Sequence, residues 1–341
     1  MRERVLLEEA QTLLLDKVQP MPVTKISLFH AIGRIAAEDI YAPLSIPSFN
    51  KSPLDGYALR AEDIKNADMS HPAEIEVIEE VPAGYVPTQK VGPGQTIKIM
   101  TGAPIPAGAD IVIKYEDILR VDNTIRVFEP LQSGSNIILA GEDVRQGELI
   151  ARQGELITSP LIGLLASMGF REVPVFDQAQ VAILSTGDEL LDPSEDLQPG
   201  KIYNSNQYSL AARCIEMGTE AIIMGIVPDR REAIAEHIQQ SLEQADIVIT
   251  TGGVSVGDYD LVQDALLDIG ADIIFWRVAM KPGSPMLAAA KDGKLILGLS
   301  GNPAAALVTF DLIVVPVIKK LMGKDDYLPT RIKAIFKDQF A

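Results

Sequence analysis

The chain has 341 residues, too many for one small module at roughly 100–200 residues per domain. Hydrophobic residues make up 47 %, and 30 Lys and Arg against 47 Asp and Glu leave a formal charge of −17. That balance argues against a surface that coats nucleic acid or an anionic membrane, since both need clustered cations; a small anion in a locally positive pocket stays open. One cysteine, Cys214, excludes intramolecular disulfides and a cysteine-rich zinc site, and three scattered histidines (His30, His71, His237) argue against a histidine-based metal centre. No run reaches the ~20 apolar residues of a membrane span, and acids interrupt the apolar N-terminus MRERVLLEEAQ, unlike a signal peptide. A soluble cytoplasmic protein is expected.

Leu6, Leu7, Ala10, Leu13 and Leu14 recur at three and four residues, which predicts an amphipathic helix over about 8–15, ended by Pro20 and Pro22. Residues 23–176 read as strands and turns, with strands at 73–81, 95–100, 111–115 and 124–128. RQGELI occurs at 145–150 and again at 152–157; a duplicated binding element and two short strands entered through Gln-Gly turns are the alternatives, and turn chemistry favours the second. A short helix follows over 159–168, with Ser159 as N-cap and Pro160 at its first position.

From residue 180 the pattern alternates. VAILST, AIIMGIV, DIVITT and KLILGL read as buried strands, and DIIFWRVAM as a strand-like segment. Helices are predicted over 207–217, 230–245, 260–269 and 303–322. Such alternation predicts an α/β domain, a mostly parallel sheet flanked by helices, with ligands at the carboxyl ends of its strands.

Three strand-end loops stand there: STGDEL (185–190), TTGGVSVGDYD (250–260) and LSGNPAAA (299–306). Each joins Gly to hydroxyl or carboxylate side chains. Gly lets backbone approach a ligand, and N–H groups at a helix start attract anions. Asn302 and Pro303 make a natural N-cap and first helical residue. Any one loop reads equally as an ordinary turn; three in one sheet point to a phosphate-bearing ligand. GxGxxG, GxxxxGK[ST] and a Ser-His-Asp arrangement are absent.

Acids form a second pattern. Asp188 and Glu189 follow the first strand, Asp229 the second, and Asp258 and Asp260 the third. Carboxylates converging near phosphate oxygens hold Mg2+. Against that, Asp229 with Glu232 fits a capping box, and Asp258 a first-turn charge. Arg277 and Lys281 supply local positive charge. In the N-terminal half, SPLDGYALR, IMTGAPIPAGAD and AGEDV stand out, though turn chemistry explains each singly.

Taken in order from about residue 5 to 330, AIGRIAAEDIYAPLSIPSFNKSPLDGYALR, IMTGAPIPAGAD, AGEDV, STGDEL, TTGGVSVGDYD, WRVAMKPG and GLSGNPAAA closely resemble the MoeA family, the molybdopterin molybdenumtransferases, which also holds the C-terminal part of gephyrin. The resemblance implies an enzyme of molybdenum-cofactor biosynthesis that takes adenylylated molybdopterin and molybdate, inserts the metal and releases AMP with Mg2+ assisting. It implies a homodimer with a composite active site and a contact with the adenylyltransferase that supplies the substrate. Carried over motif by motif, the catalytic acids are Asp55, Asp143, Glu189, Asp229 and Asp260. Substrate binding falls to Thr101, Thr186, Gly187, Gly252, Gly253, Ser255, Arg277, Lys281, Ser300, Gly301, Asn302 and Pro303, and the metal to Asp188, Glu189, Asp229 and Asp260. The family often has Lys at Arg277, and it commonly has KPGKP where this chain has KPGSP, so Ser284 replaces a cation.

The expected domains are an N-terminal helix (1–20) packing on the sheet domain, a strand-rich linking domain (21–42 and 144–176), a projecting β-rich domain (43–143) and a MogA-like molybdopterin-binding α/β domain (177–325). Residues 326–341, with RIKAIF as a first strand, read as the start of a C-terminal β domain that is otherwise missing. The alternatives are a MogA-like molybdopterin adenylyltransferase or molybdopterin-binding module, and a non-catalytic scaffold.

Overall fold

A computed structural model of the chain describes residues 2–82, 84–253 and 261–335. The chain divides into two compact units, residues 1–39 with 151–341, and residues 40–150. The first opens with helix α1 (Leu7–Leu15), whose Ala10 and Leu14 are fully buried and whose Gln11 Nε2 donates to Leu312 O at 2.7 Å. Strand β1 (Val23–Ser27) follows.

The second unit carries β2 (Ile40–Tyr41), β3 (Gly56–Leu59), β4 (Ala73–Val81), β5 (Gln95–Ile99), β6 (Ile111–Lys114), β7 (Ile118–Val121) and β8 (Thr124–Val127). Six of these form one sheet in the order β6-β3-β5-β4-β8-β7. Alternation along β3 sends Tyr57 and Leu59 into one apolar cluster and Ala58 into the other, so both faces are covered.

Strand β9 (Leu149–Ala151) lies in the repeated segment. Both RQGELI copies make the same turn. Arg145 N–H donates to Glu148 Oε2 and Arg152 N–H to Glu155 Oε2, each at 3.0 Å. Each copy then exchanges backbone bonds with an alanine, Ala42 and Ala36 respectively. The turn is duplicated, but only the first copy runs on into a strand; the second leads to a single bridge between Leu156 and Ile35.

Helix α2 (Ser159–Ser167) begins one residue earlier than expected: Thr158, not Ser159, stands at the N-cap, and no side chain caps the helix. Strand β10 (Glu172–Phe176) pairs antiparallel with β1.

The main sheet uses β11 (Gln180–Thr186), then, past the short strands β12 (Leu190–Leu191) and β13 (Ile202–Tyr203) and helix α3 (Ser205–Glu216), β14 (Glu220–Val227). Helix α4 (Arg231–Gln244), β15 (Ile247–Thr251), α5 (Leu261–Asp268), β16 (Asp272–Trp276), β17 (Met286–Lys291) and β18 (Lys294–Leu299) complete it. The order is β14-β11-β15-β18-β17-β16; the first four strands are parallel, and β17 alone runs the other way, pairing antiparallel with β18 and with the edge strand β16. The strand-like 272–280 segment stops at Trp276 because Arg277 turns to φ +82°. β17 is an addition to the expected strands. Asp292 (φ +51°) and Gly293 (φ +79°) turn it into β18, the two-residue hairpin geometry that Asp-Gly favours.

Every residue of β11 from Val181 onward is buried, as a parallel strand covered on both faces requires. Ala10, Leu14, Ile183, Ile249, Phe310 and Ile313 share one face's cluster; Leu184, Val248, Ile296 and the Ile234, Ile238, Leu242 stripe of α4 share the other. The 303–322 segment is helical but not uniform: α6 (Pro303–Thr309) passes through a π-helical turn (Phe310–Val314) into α7 (Val315–Leu321). Residues 331–335 form no strand, since no partner pairs their backbone among the described residues; the rest of RIKAIF lies outside them.

Candidate active site

The carboxyl ends of β11, β14, β15 and β18 open on a cleft of about 660 Å³. Thr186, Gly187, Asp188 and Glu189 line it from the end of β11, Asp229 from that of β14, Gly252 and Gly253 from that of β15, and Ser300, Gly301 and Asn302 from that of β18. Leu261 and Pro285 complete the lining. β11 has β14 on one side and β15 on the other, the switch point where ligands of open α/β sheets bind.

Glycine makes the floor possible. Gly252 has φ +90°, and a Cβ there would sit 2.4 Å from Thr186 O. Gly253 has φ +67°, and its Cβ would meet Val262 Cγ2 at 2.7 Å. Across the cleft the Asn302 side chain accepts from Ala305 N–H at 3.2 Å, so it caps α6 and fixes the SGNP loop. Behind the floor, Ser185 Oγ lies 2.8 Å from Thr251 Oγ1 and donates to Asn204 Oδ1 at 3.1 Å.

Two acids face each other at the rim. Asp188 N–H donates to Asp229 Oδ2 and Asp229 N–H to Asp188 Oδ1, both at 3.3 Å. Asp229 therefore takes no part in a capping box: Arg230 holds the cap position of α4 and no side chain bonds there. Asp229 is exposed as a residue, yet its carboxyl lies in the cleft. Lost hydration there pushes its pKa above the ordinary carboxylate range; the neighbouring Asp188 and Glu189 charges add to this, and the Asp188 N–H bond opposes it. Lys201 Nζ donates to Asp188 O beside this rim. Among the described residues no three of His, Cys, Asp and Glu could hold a metal by themselves. A pair of facing carboxylates, one of them reluctant to ionise, fits a hard cation that keeps its waters and borrows phosphate oxygens.

The other expected site residues fall elsewhere. Asp55 and Thr101 meet in the second unit: Thr101 N–H and Oγ1 both donate to Asp55 Oδ1, at 2.6 and 2.8 Å, and these two bonds hold its carboxyl below the usual range. Asp143 is in the same unit, with its N–H on Ile46 O at 3.0 Å. Arg277 and Lys281 are not among the cleft's lining residues; the Arg277 guanidinium lies over the Trp276 ring, 5.0 Å from its centre. Pro303 lines a smaller side pocket next to the cleft. Ser255, Asp258 and Asp260 lie outside the described residues.

Sequence reasoning missed Lys201, Pro285 and the start of α3. The helix begins at Ser205, two residues before the expected 207, with Asn204 as its capping residue. The signal was present as NSN ahead of the apolar period, an N-cap signature. Cys214 is buried, and loss of hydration pushes its thiol up to about 12, so it offers no nucleophile.

The fold and cleft define an α/β ligand-binding enzyme domain joined to a strand-rich N-terminal region. Residues 5–169 match the MoeA N-terminal region (domain I and II), and residues 182–320 match a probable molybdopterin binding domain. The chain is 38 % identical over 339 residues to a molybdopterin molybdenumtransferase of Staphylococcus aureus, covering 99 % of this chain and 81 % of that one. It is 40 % identical over 315 residues to its counterpart in Staphylococcus epidermidis, covering 92 % and 75 %. The crystal structure of the molybdopterin-biosynthesis MoeA protein from Pyrococcus horikoshii superposes with a TM-score of 0.86 at 34 % identity, over 95 % of this chain and 81 % of that one. The chain belongs to the MoeA family of molybdopterin molybdenumtransferases.

Proposed function

We propose that this chain carries out the metal-insertion step of molybdenum-cofactor biosynthesis: it takes adenylylated molybdopterin and molybdate, places the metal at the dithiolene and releases AMP. The observation that carries the reading is the glycine-floored cleft at the strand ends, rimmed by Asp188, Glu189 and Asp229, within the segment that matches a molybdopterin binding domain. Thr186, Gly187, Gly252, Gly253, Ser255, Ser300, Gly301, Asn302 and Pro303 receive the substrate, aided by the cations Arg277 and Lys281. Glu189, Asp229 and Asp260 are the proposed catalytic acids of this unit. Asp55 and Asp143, with Thr101, are proposed to serve the same reaction from the strand-rich unit.

Asp188, Glu189, Asp229 and Asp260 would hold Mg2+, which when bound offsets charge on the phosphate linkage. The chain's own acids orient that linkage, and the glycine floor lets the backbone come up to it. Ser284, where a further cation is common in the family, leaves oxyanion capture to Arg277 and Lys281. A homodimer and a cytoplasmic location belong to the same reading, as does a contact with the adenylyltransferase that supplies the substrate. No helix among the described residues is long and apolar enough to cross a membrane.

The test incubates the purified chain with adenylylated molybdopterin, molybdate and Mg2+ and follows AMP by chromatography. Asp260→Asn should unfold at the wild-type midpoint yet lose well over tenfold in AMP release, more than ~1.4 kcal/mol of barrier. Asp258→Asn should be milder, because a first-turn acid contributes only roughly 0.3–1 kcal/mol to a helix. Near-wild-type turnover by Asp260→Asn, or a dead Asp258→Asn, contradicts the assignment. Adenylylation of molybdopterin from ATP would instead support the MogA-like alternative.

A further inference from the structure

The strand-rich unit has a pocket of its own, of about 390 Å³. It lies where β4 and β5, which run parallel with Glu80 beside Lys98, reach their carboxyl ends. Glu80, Val81 and Pro82 line it from the first strand, Lys98 and Met100 from the second. Met100 leads directly into Thr101, whose two bonds hold Asp55.

The charges of this pocket do not cancel. Glu80 accepts from Lys98 Nζ at 3.0 Å through one carboxylate oxygen and pairs with Arg120 at 2.7 Å through the other, so two cations share one acid. The next acid along, Glu79, is spent on Thr88 and Gln89. A local positive surplus in a chain of formal charge −17 marks a place for an anion.

Lys98 is not exhausted by its pairing. An ammonium has three donors, and among the described residues Glu80 takes one. That bond holds the Lys98 pKa above the ordinary lysine value, so the charge is kept. Its Nζ lies 5.4 Å from the centre of the half-buried Tyr115 ring, which packs edge-on against Tyr57 at 5.3 Å. Among the described residues the Tyr115 hydroxyl donates to Met100 Sδ alone, 3.9 Å away, and a thioether is a weak acceptor. Burial pushes this hydroxyl up, against the pull of Lys98, so it keeps its proton at neutral pH. A charged ammonium with spare donors and a hydroxyl without a strong acceptor thus stand side by side behind Met100.

Resting on the function proposed above, we propose that this pocket is an oxyanion subsite of the strand-rich unit, in which Lys98 Nζ and the Tyr115 hydroxyl donate to the oxygens of a phosphate or a molybdate. Charge-assisted donors of this kind are the strong ones for oxyanions. Arg120 keeps Glu80 neutralised while Lys98 turns its free donors to the ligand. Asp55 is the acid that opposes such a ligand from the Tyr115 side, and its Oδ1 is already bonded twice by Thr101.

The test titrates sodium molybdate, AMP and adenosine into the full chain carrying isotope-labelled methionine methyl groups, with the Met100 signal assigned through Met100→Leu. Molybdate or AMP should shift that signal in wild type, and the tighter of the two names the oxyanion; adenosine should leave it in place. Lys98→Met leaves Glu80 with Arg120, and Tyr115→Phe keeps the ring, so both should unfold near the wild-type midpoint. Lys98→Met should weaken the binding at least about tenfold and Tyr115→Phe at least about threefold, while Lys98→Arg stays within about threefold of wild type. Unchanged binding by Lys98→Met or Tyr115→Phe overturns the proposal, as does a Lys98→Arg loss as large as that of Met. A shift by adenosine equal to that by AMP, or a wild-type Met100 signal that neither oxyanion moves, also overturns it. The signal needs no turnover, so AMP release from adenylylated molybdopterin decides separately whether the broader function stands.

Discussion

Asp229 is an exposed and Asp55 a half-buried acid of the proposed site, and their surroundings pull them in opposite directions. Asp229 is pushed up by lost hydration and by Asp188 and Glu189. A raised acid is more readily protonated when folded, so its stabilising contribution is present at low pH and is lost as pH rises through its folded value. Ionised Asp229 is therefore a liability to the fold at neutral pH. Asp229→Asn should melt at or above the wild-type temperature while losing AMP release, and added Mg2+ should raise the melting temperature of wild type more than that of the variant. Asp55 is the reverse case: two bonds from Thr101 lower it, so its contribution is present at neutral pH and is lost as pH falls through its folded value. Thr101→Val should return the Asp55 carboxyl towards its ordinary range in a titration followed by NMR. An unchanged Asp55 titration would mean that the Thr101 hydroxyl does not hold it.

At the scale of elements, the cleft depends on polar groups buried behind it. At the irregular step between Ile183 and Leu184, the Gln207 amide satisfies Ile183 O and Gly225 O. Gln207→Leu strands both carbonyls and should cost about 1–3 kcal/mol, read as a lower denaturant midpoint. Asn302→Ala removes the cap of α6 and should cost about 1 kcal/mol, with weaker substrate binding from a looser SGNP loop. The sequence pattern made the parallel strands and the α4 stripe legible, because burial on both faces demands unbroken apolar runs and one-sided burial demands a four-residue spacing. It also made the Asn302 cap legible. β17 was missed because MLAAAK has little β-branching, although its Asp-Gly turn was visible. The Asp188–Asp229 pairing and the Lys98–Tyr115 contact had no local signal, since each depends on residues brought together from separate segments. Capping chemistry even pointed Asp229 towards the wrong partner.

For the whole molecule, the chain is two compact units, each with its own apolar clusters, and the proposed functional acids are divided between them. Sedimentation of the purified chain should give twice its 36.9 kDa mass, the homodimer of the proposed function. The measurement that bears most directly on that function is molybdate-dependent AMP release. With adenylylated molybdopterin and Mg2+ present, AMP should appear together with molybdenum-loaded cofactor able to activate a cofactor-free molybdenum enzyme, and Asp229→Asn should produce neither. A chain that binds adenylylated molybdopterin but releases no AMP at any molybdate concentration, and yields no active cofactor, would contradict the account.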